Sequence, residues 1–155
     1  MKKNLLFLLI FLIFSGCGYK VVTQTQKQNF QIAELETTGD SRVNFYLKNK
    51  LNSRSEDVNL LKINVEIFSE KKKTVKEKNI NNEITKYQIS IRIDTKVSFL
   101  GTNKDAEFTL LEIGNFDVGD IHSQTLTNEK KITNLLTENI TKKLINEIKL
   151  LVNDN

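Results

Sequence analysis

The chain has 155 residues, of which 39% are apolar and 27% charged, with no Pro, no Trp, one His and one Cys. That is an ordinary globular mixture, which excludes intrinsic disorder, collagen and a multi-span membrane protein. A single cysteine makes no internal disulfide, and one His beside one Cys cannot build the usual tetrahedral zinc site. The formal charge is +4, but removing Lys2 and Lys3 from the 23 basic residues leaves 21 against 19 acidic ones, a balance that gives no argument for nucleic acid as a partner. Lys outnumbers Arg twenty to three, and Ile, Lys and Asn exceed a third of the chain, a compositional bias that weakens each lysine as a functional signal.

Met1-Lys2-Lys3 is a short positive region, and Leu5 through Phe14 is an unbroken apolar run of ten residues. A spanning helix needs about 20 apolar residues. Ten fits the hydrophobic region of a secretory signal peptide, so residues 1–16 are expected to be a leader that is removed. The run ends in Phe14-Ser15-Gly16-Cys17, which resembles a bacterial lipobox, with Phe14 where Leu is usual. Cys17 is the expected lipidation site. Two or more acyl chains hold a protein stably on a membrane where one gives only marginal binding. Gly18 in place of Asp implies, by the same resemblance, sorting to the outer membrane, on its periplasmic side. Residues 17–28, with a Gln- and Thr-rich stretch, read as the lipidated end and a tether. Residues 29–155 read as one α+β domain.

Phe30 to Glu36 is a weak strand candidate, followed by a turn at Thr37-Thr38-Gly39. Asp40 or Ser41 can cap a helix of about three turns, marked by Val43, Tyr46, Leu47 and Leu51 at helical spacing. Leu61, Ile63, Val65 and Ile67 alternate with polar residues as a half-buried strand that runs out near Phe68. Asn79 to Asn82 is turn chemistry. The clearest strand sets Tyr87, Ile89, Ile91, Ile93, Val97 and Phe99 on one face and polar side chains on the other, which predicts an antiparallel sheet with one wet face. Gly101-Thr102-Asn103 turns the chain, and Glu107 to Ile113 makes a further strand. After an irregular stretch, Ile132, Leu135, Leu136, Ile140, Leu144, Ile145, Ile148, Leu151 and Val152 mark an amphipathic helix of about 24 residues, capped by Thr127 or Asn128. The expected fold is a two-layer sandwich. It has a mainly antiparallel four-stranded sheet, with two helices on one face, in the order strand, helix, three strands, helix.

No G-x-S-x-G, P-loop, H-E-x-x-H or G-x-G-x-x-G is present, and no nucleophile has a partner base. His122 reads as an exposed bystander, Asp117-Val118-Gly119-Asp120 as a turn rather than a calcium loop, and Glu129-Lys130-Lys131 as a solvated first turn. No cofactor or metal is expected. The densest basic cluster is Lys71, Lys72, Lys73, Lys76 and Lys78, placed at or beside an exposed hairpin tip. It is either a solvated loop enriched in lysine or a set of ammonium groups that meets an anionic ligand.

Together the lipobox, Cys17-Gly18-Tyr19, the lead-in strand and the helix from Ser41 to Leu51 resemble the lipopolysaccharide-assembly lipoprotein family, the E component of the outer-membrane translocon. So does the passage from Asn115-Phe116-Asp117-Val118 through Thr127-Asn128-Glu129 into a long last helix. The resemblance covers nearly all of the expected mature chain. It implies a non-enzymatic protein that plugs a β-barrel partner, the D component, one to one, assists its assembly and helps deliver lipopolysaccharide to the cell surface. For such a protein the functional reading of Lys71, Lys72, Lys73, Lys76 and Lys78 is contact with the phosphates of lipopolysaccharide. The alternatives are an auxiliary lipoprotein of an ABC-type lipid transport system and a periplasmic hydrolase.

Overall fold

The computed structural model describes residues 30–52, 60–102 and 104–154. The expected leader at 1–16, Cys17 and the tether at 17–28 lie outside the described residues. The elements are β1 (Phe30–Gly39), α1 (Ser41–Leu51), β2 (Leu61–Lys78), β3 (Ile84–Phe99), β4 (Asp105–Asp117) and α2 (His122–Asn153). They form one four-stranded sheet in the order β1-β2-β3-β4. The α+β class and the element order agree with the sequence.

The sheet is mixed, where the sequence suggested one that is mainly antiparallel. β2 pairs with β3, and β3 with β4, in antiparallel sense, but β1 runs parallel to β2 from Phe30 opposite Leu61 to Gly39 opposite Ser69. The cause is the connection. Antiparallel neighbours can be joined by a tight turn, whereas α1 carries the chain back over the sheet and so returns it in the same direction.

Local chemistry sets the boundaries of α1. Asp40 is its N-cap, and its carboxylate accepts the backbone N–H groups of Arg42 and Val43 at 3.0 Å each. Gly39, at φ +99°, makes the corner from strand to helix, and a Cβ there would lie 1.9 Å from the Ser69 carbonyl oxygen. Only glycine fits that approach.

α2 begins at His122, six residues before the predicted start, and is 32 residues long. Its N-cap is Ile121, which makes no side-chain cap. The two expected capping residues are engaged otherwise. The Thr127 hydroxyl bonds back to the Ser123 carbonyl at 2.9 Å, and the Asn128 amide donates to the Asp117 carbonyl at 3.0 Å, tying the helix to the end of β4. Polar residues that can cap can equally bond within a helix, which is why the pattern misplaced the start.

Both helices cover one face of the sheet. Val43 and Leu47 of α1, Ile63 and Val65 of β2, Ile89, Ile91 and Ile93 of β3, and Ile140, Leu144 and Ile148 of α2 are all fully or almost fully buried in a single core. At about 25 cal/mol per Å² of apolar surface, such side chains dominate the stability. α2 also offers a stripe of threonines, in which Thr137 and Thr141 bond to the carbonyls of Thr133 and Thr137 at 2.8 and 2.6 Å. At Gly114 the helix comes close, for a Cβ would meet Ile132 at 2.8 Å.

Candidate functional site

β2 and β3 make a long hairpin whose two halves differ. β1 accompanies β2 only as far as Ser69. There the Asp40 N–H donates to the Ser69 carbonyl at 2.9 Å, and the chain leaves the sheet as α1. The Ser69 hydroxyl fixes this corner, lying 2.7 Å from the Asn44 side-chain oxygen and beside the carbonyls of Thr38 and Asp40. β2 continues through Lys78, paired with β3 on one side. Among the described residues no strand pairs with its other side.

The basic cluster lies on this stretch. Lys71, Lys72 and Lys73 are part of the ladder opposite Ile91, Ser90 and Ile89, well away from the tip that the sequence suggested. β2 does not run out at Phe68, because β3 continues as a strong strand and Thr74 and Val75 still suit one, so the ladder carries the lysines with it. The tip itself is Asn79 to Glu83, where the Asn79 side chain accepts the N–H groups of Asn81 and Glu83 and Asn82 takes a positive φ. Lys76 sits in a register shift between Val75 and Glu77, and Lys78 donates to the Asn82 side chain at 2.9 Å.

Strand alternation divides the cluster between two faces. Lys72 points to the open face, 2.9 Å from Glu70. Lys71 and Lys73 point to the helix side. Lys73 is 2.6 Å from Glu129 on α2 and lies over the rings of Tyr87 and Phe116, which stack at 5.5 Å. It therefore fastens the early turns of α2 to the sheet. Lys71 floors a groove of about 820 Å³ between α1 and α2, walled by Arg42, Phe45 and Tyr46 on one side and Leu126, Lys130 and Thr133 on the other. Phe45 is 69% exposed and Leu126 51% exposed. The Thr133 hydroxyl is buried without a hydrogen-bond partner among the described residues.

The open face of the sheet holds a second, smaller concavity of about 470 Å³, lined by Glu36, Glu66, Phe68, Asp94, Lys96 and Glu107 among others. A hydrogen bond from Thr109, and two more from Arg92, hold the Asp94 carboxyl below the usual carboxylate range. Near the hairpin tip, the hydrogen bond and charge of Glu77, aided by Asp117, raise Lys86 above the usual lysine range. The sequence reading missed both sites. Their signal was present in the polar residues of the alternating strands, but strand pairing alone shows which of them meet. Phe45 and Leu126 carried no signal, because they interrupt a helical pattern instead of forming one.

Asp117 ends β4, and His122 is exposed on the first turn of α2. Among the described residues no three His, Cys, Asp or Glu side chains gather as metal ligands, and no helix is long and apolar enough to cross a membrane. The arrangement offers backbone edge, cations and exposed apolar rings, which are means of binding.

No protein-family model and no curated protein sequence matches this chain. Solved structures do. Lipoprotein B from Nitrosomonas europaea, described as uncharacterized, matches at a TM-score of 0.52 and 9% identity, covering 87% of this chain and 92% of that one. A Caulobacter crescentus protein described as a lipoprotein matches at 0.51 and 8%, covering 77% and 90%. Rare lipoprotein B from Shewanella oneidensis matches at 0.48 and 10%, covering 74% and 89%. At such identities the likeness is one of fold. The chain shares the fold of solved bacterial lipoproteins.

Proposed function

We propose that this chain is an outer-membrane lipoprotein of the lipopolysaccharide-assembly type, anchored through acylated Cys17, that plugs and assists a β-barrel partner and helps deliver lipopolysaccharide to the cell surface. The observation that carries the reading is the agreement between two independent features. A lipobox stands at the head of the sequence. The domain behind it has the fold of solved lipoproteins, matched over about nine-tenths of their length.

The geometry suits a binding protein. Its polar residues are spread over an open sheet face and a strand edge, whereas an enzyme of this size would gather a nucleophile and a base in one pocket. Within this proposal the lysines of β2 meet the phosphates of lipopolysaccharide. Lys76 is exposed, while Lys72 pairs with Glu70 on the open face and Lys73 is held by Glu129. Flexible point charges fit a ligand whose anionic positions vary.

The test is purification of the lipidated protein from solubilised outer membranes, with identification of what accompanies it. A barrel protein recovered one to one is expected. Recovery of an ABC transporter complex would transfer the chain to the auxiliary class of lipid-transport lipoproteins. Mass spectrometry of the same material should find an acylated Cys17 as the first residue, and an intact Met1 would remove the anchor from the proposal.

A further inference from the structure

The sheet is half a strand short. β1 stops opposite Ser69, yet β2 runs on to Lys78. The Ser69 carbonyl faces outward, since it accepts from Asp40. Backbone polar groups alternate sides along a strand, so the N–H and C=O groups of Lys71, Lys73 and Val75 face outward along the same edge. Among the described residues no strand partner meets them. The groove between α1 and α2 lies on the helix side of this stretch, with Lys71 as its floor.

We propose that this edge accepts an extended acidic segment of a partner protein as an added strand, with its helix-side residues seated in the groove between α1 and α2. This goes beyond the proposed function and holds whether or not the lysines also meet lipopolysaccharide. Three features select the occupant. An edge that alternates donors and acceptors is used in full only by another extended backbone, and a phosphate group has no use for its carbonyls. Alternate side chains of an added strand point to the helix side, where Phe45 and Leu126 lie half or more exposed and the Thr133 hydroxyl lacks a partner. The charge is net positive, with Lys71, Lys72, Lys73, Lys76 and Lys78 on the strand and Arg42 and Lys130 on the walls against Glu70, Glu77 and Glu129. A second copy of this chain, paired edge to edge, would set lysine against lysine. The cluster thus excludes self-pairing while favouring an acidic partner.

The experiment follows amide exchange by nuclear magnetic resonance on the full chain. The probe is a short synthetic peptide that alternates Glu and Val. It is compared with a Lys and Val peptide, and with a Glu and Val peptide N-methylated at alternate amides. The acidic peptide should slow exchange at the Lys71, Lys73 and Val75 amides, with an affinity that falls as salt rises. Phe45→Ser should weaken it, and Val75→Pro, which removes one outward N–H, should weaken it by roughly tenfold at unchanged melting temperature. Equal binding by the basic or the N-methylated peptide would overturn the proposal. So would equal protection by anionic phospholipid vesicles, or amides already protected in the free protein. If Val75→Pro disturbs the fold, the N-methylated peptide decides on the unaltered chain.

Discussion

β2 and β3 are partners in one hairpin and nearly equal in length, yet they have opposite relations to the core. β3 is buried on its helix side from Ile89 to Phe99, while β2 is buried only from Ile63 to Ser69 and is largely exposed beyond it. The difference lies in what covers each strand. α2 packs against β4 and β3, whereas α1 turns back over β1 and β2 from the corner at Gly39. A strand is therefore stabilising where apolar side chains seal it under a helix, and available for binding where, as at Lys71 and Lys73, charged side chains border the helices instead. In this molecule the two roles fall on opposite sides of a single ladder, and Lys71 sits directly across from Ile91.

The sharpest way to break this contrast is to cut each side. Ile91 and Leu144 are fully buried in the shared core. Truncating either to Ala should cost about 2–5 kcal/mol and lower the melting temperature markedly. A neutral Ile91→Ala would mean that β3 is not the supporting half of the hairpin. Gly39→Ala tests the corner that ends β1, because its Cβ would run into the Ser69 carbonyl at a backbone angle that favours glycine. About 1–3 kcal/mol of destabilisation is expected in thermal or urea unfolding.

On the exposed side, Lys72, Lys76 and Lys78 changed together to Gln should alter stability by no more than about 0.5 kcal/mol. The change should flatten the salt dependence of lipopolysaccharide binding, and an unchanged salt profile would make these lysines a plain solvated edge. Lys73→Gln should behave differently. It loses Glu129 and the contacts with Tyr87 and Phe116, for about 0.5–1 kcal/mol, and would sharpen the distinction between a lysine that fastens a helix and those on the exposed strand.

The smallest effect is expected on the open face. The folded-state pKa of Asp94 lies below its unfolded value, so its contribution is present above the ordinary carboxylate range and disappears as pH falls through the folded value. Asp94→Asn should therefore be slightly destabilising near neutrality. The gap from the parent chain should close in acid, as followed by melting temperature against pH.

The α+β class, the element order, the Asp40 cap, the hairpin turn at Asn79 to Asn82 and the buried face of β3 were all legible in the residues, because each rests on local spacing or on turn and capping chemistry. The early start of α2 was not, since Thr127 and Asn128 find partners inside the helix and on β4. The length of β2 was hidden for a similar reason. Eight polar or charged residues in the nine from Ser69 to Glu77 look like loop, and only the pairing with β3 holds them extended. The candidate site was half visible. The sequence by itself located the lysines as a cluster and placed a lipobox before the domain. Only the tertiary structure decided that these lysines lie along a strand edge on two faces, one of them fastened to Glu129, beside a groove lined by both helices. Alternation along a strand is a property of neighbours in sequence, whereas an unpaired edge depends on where another strand stops.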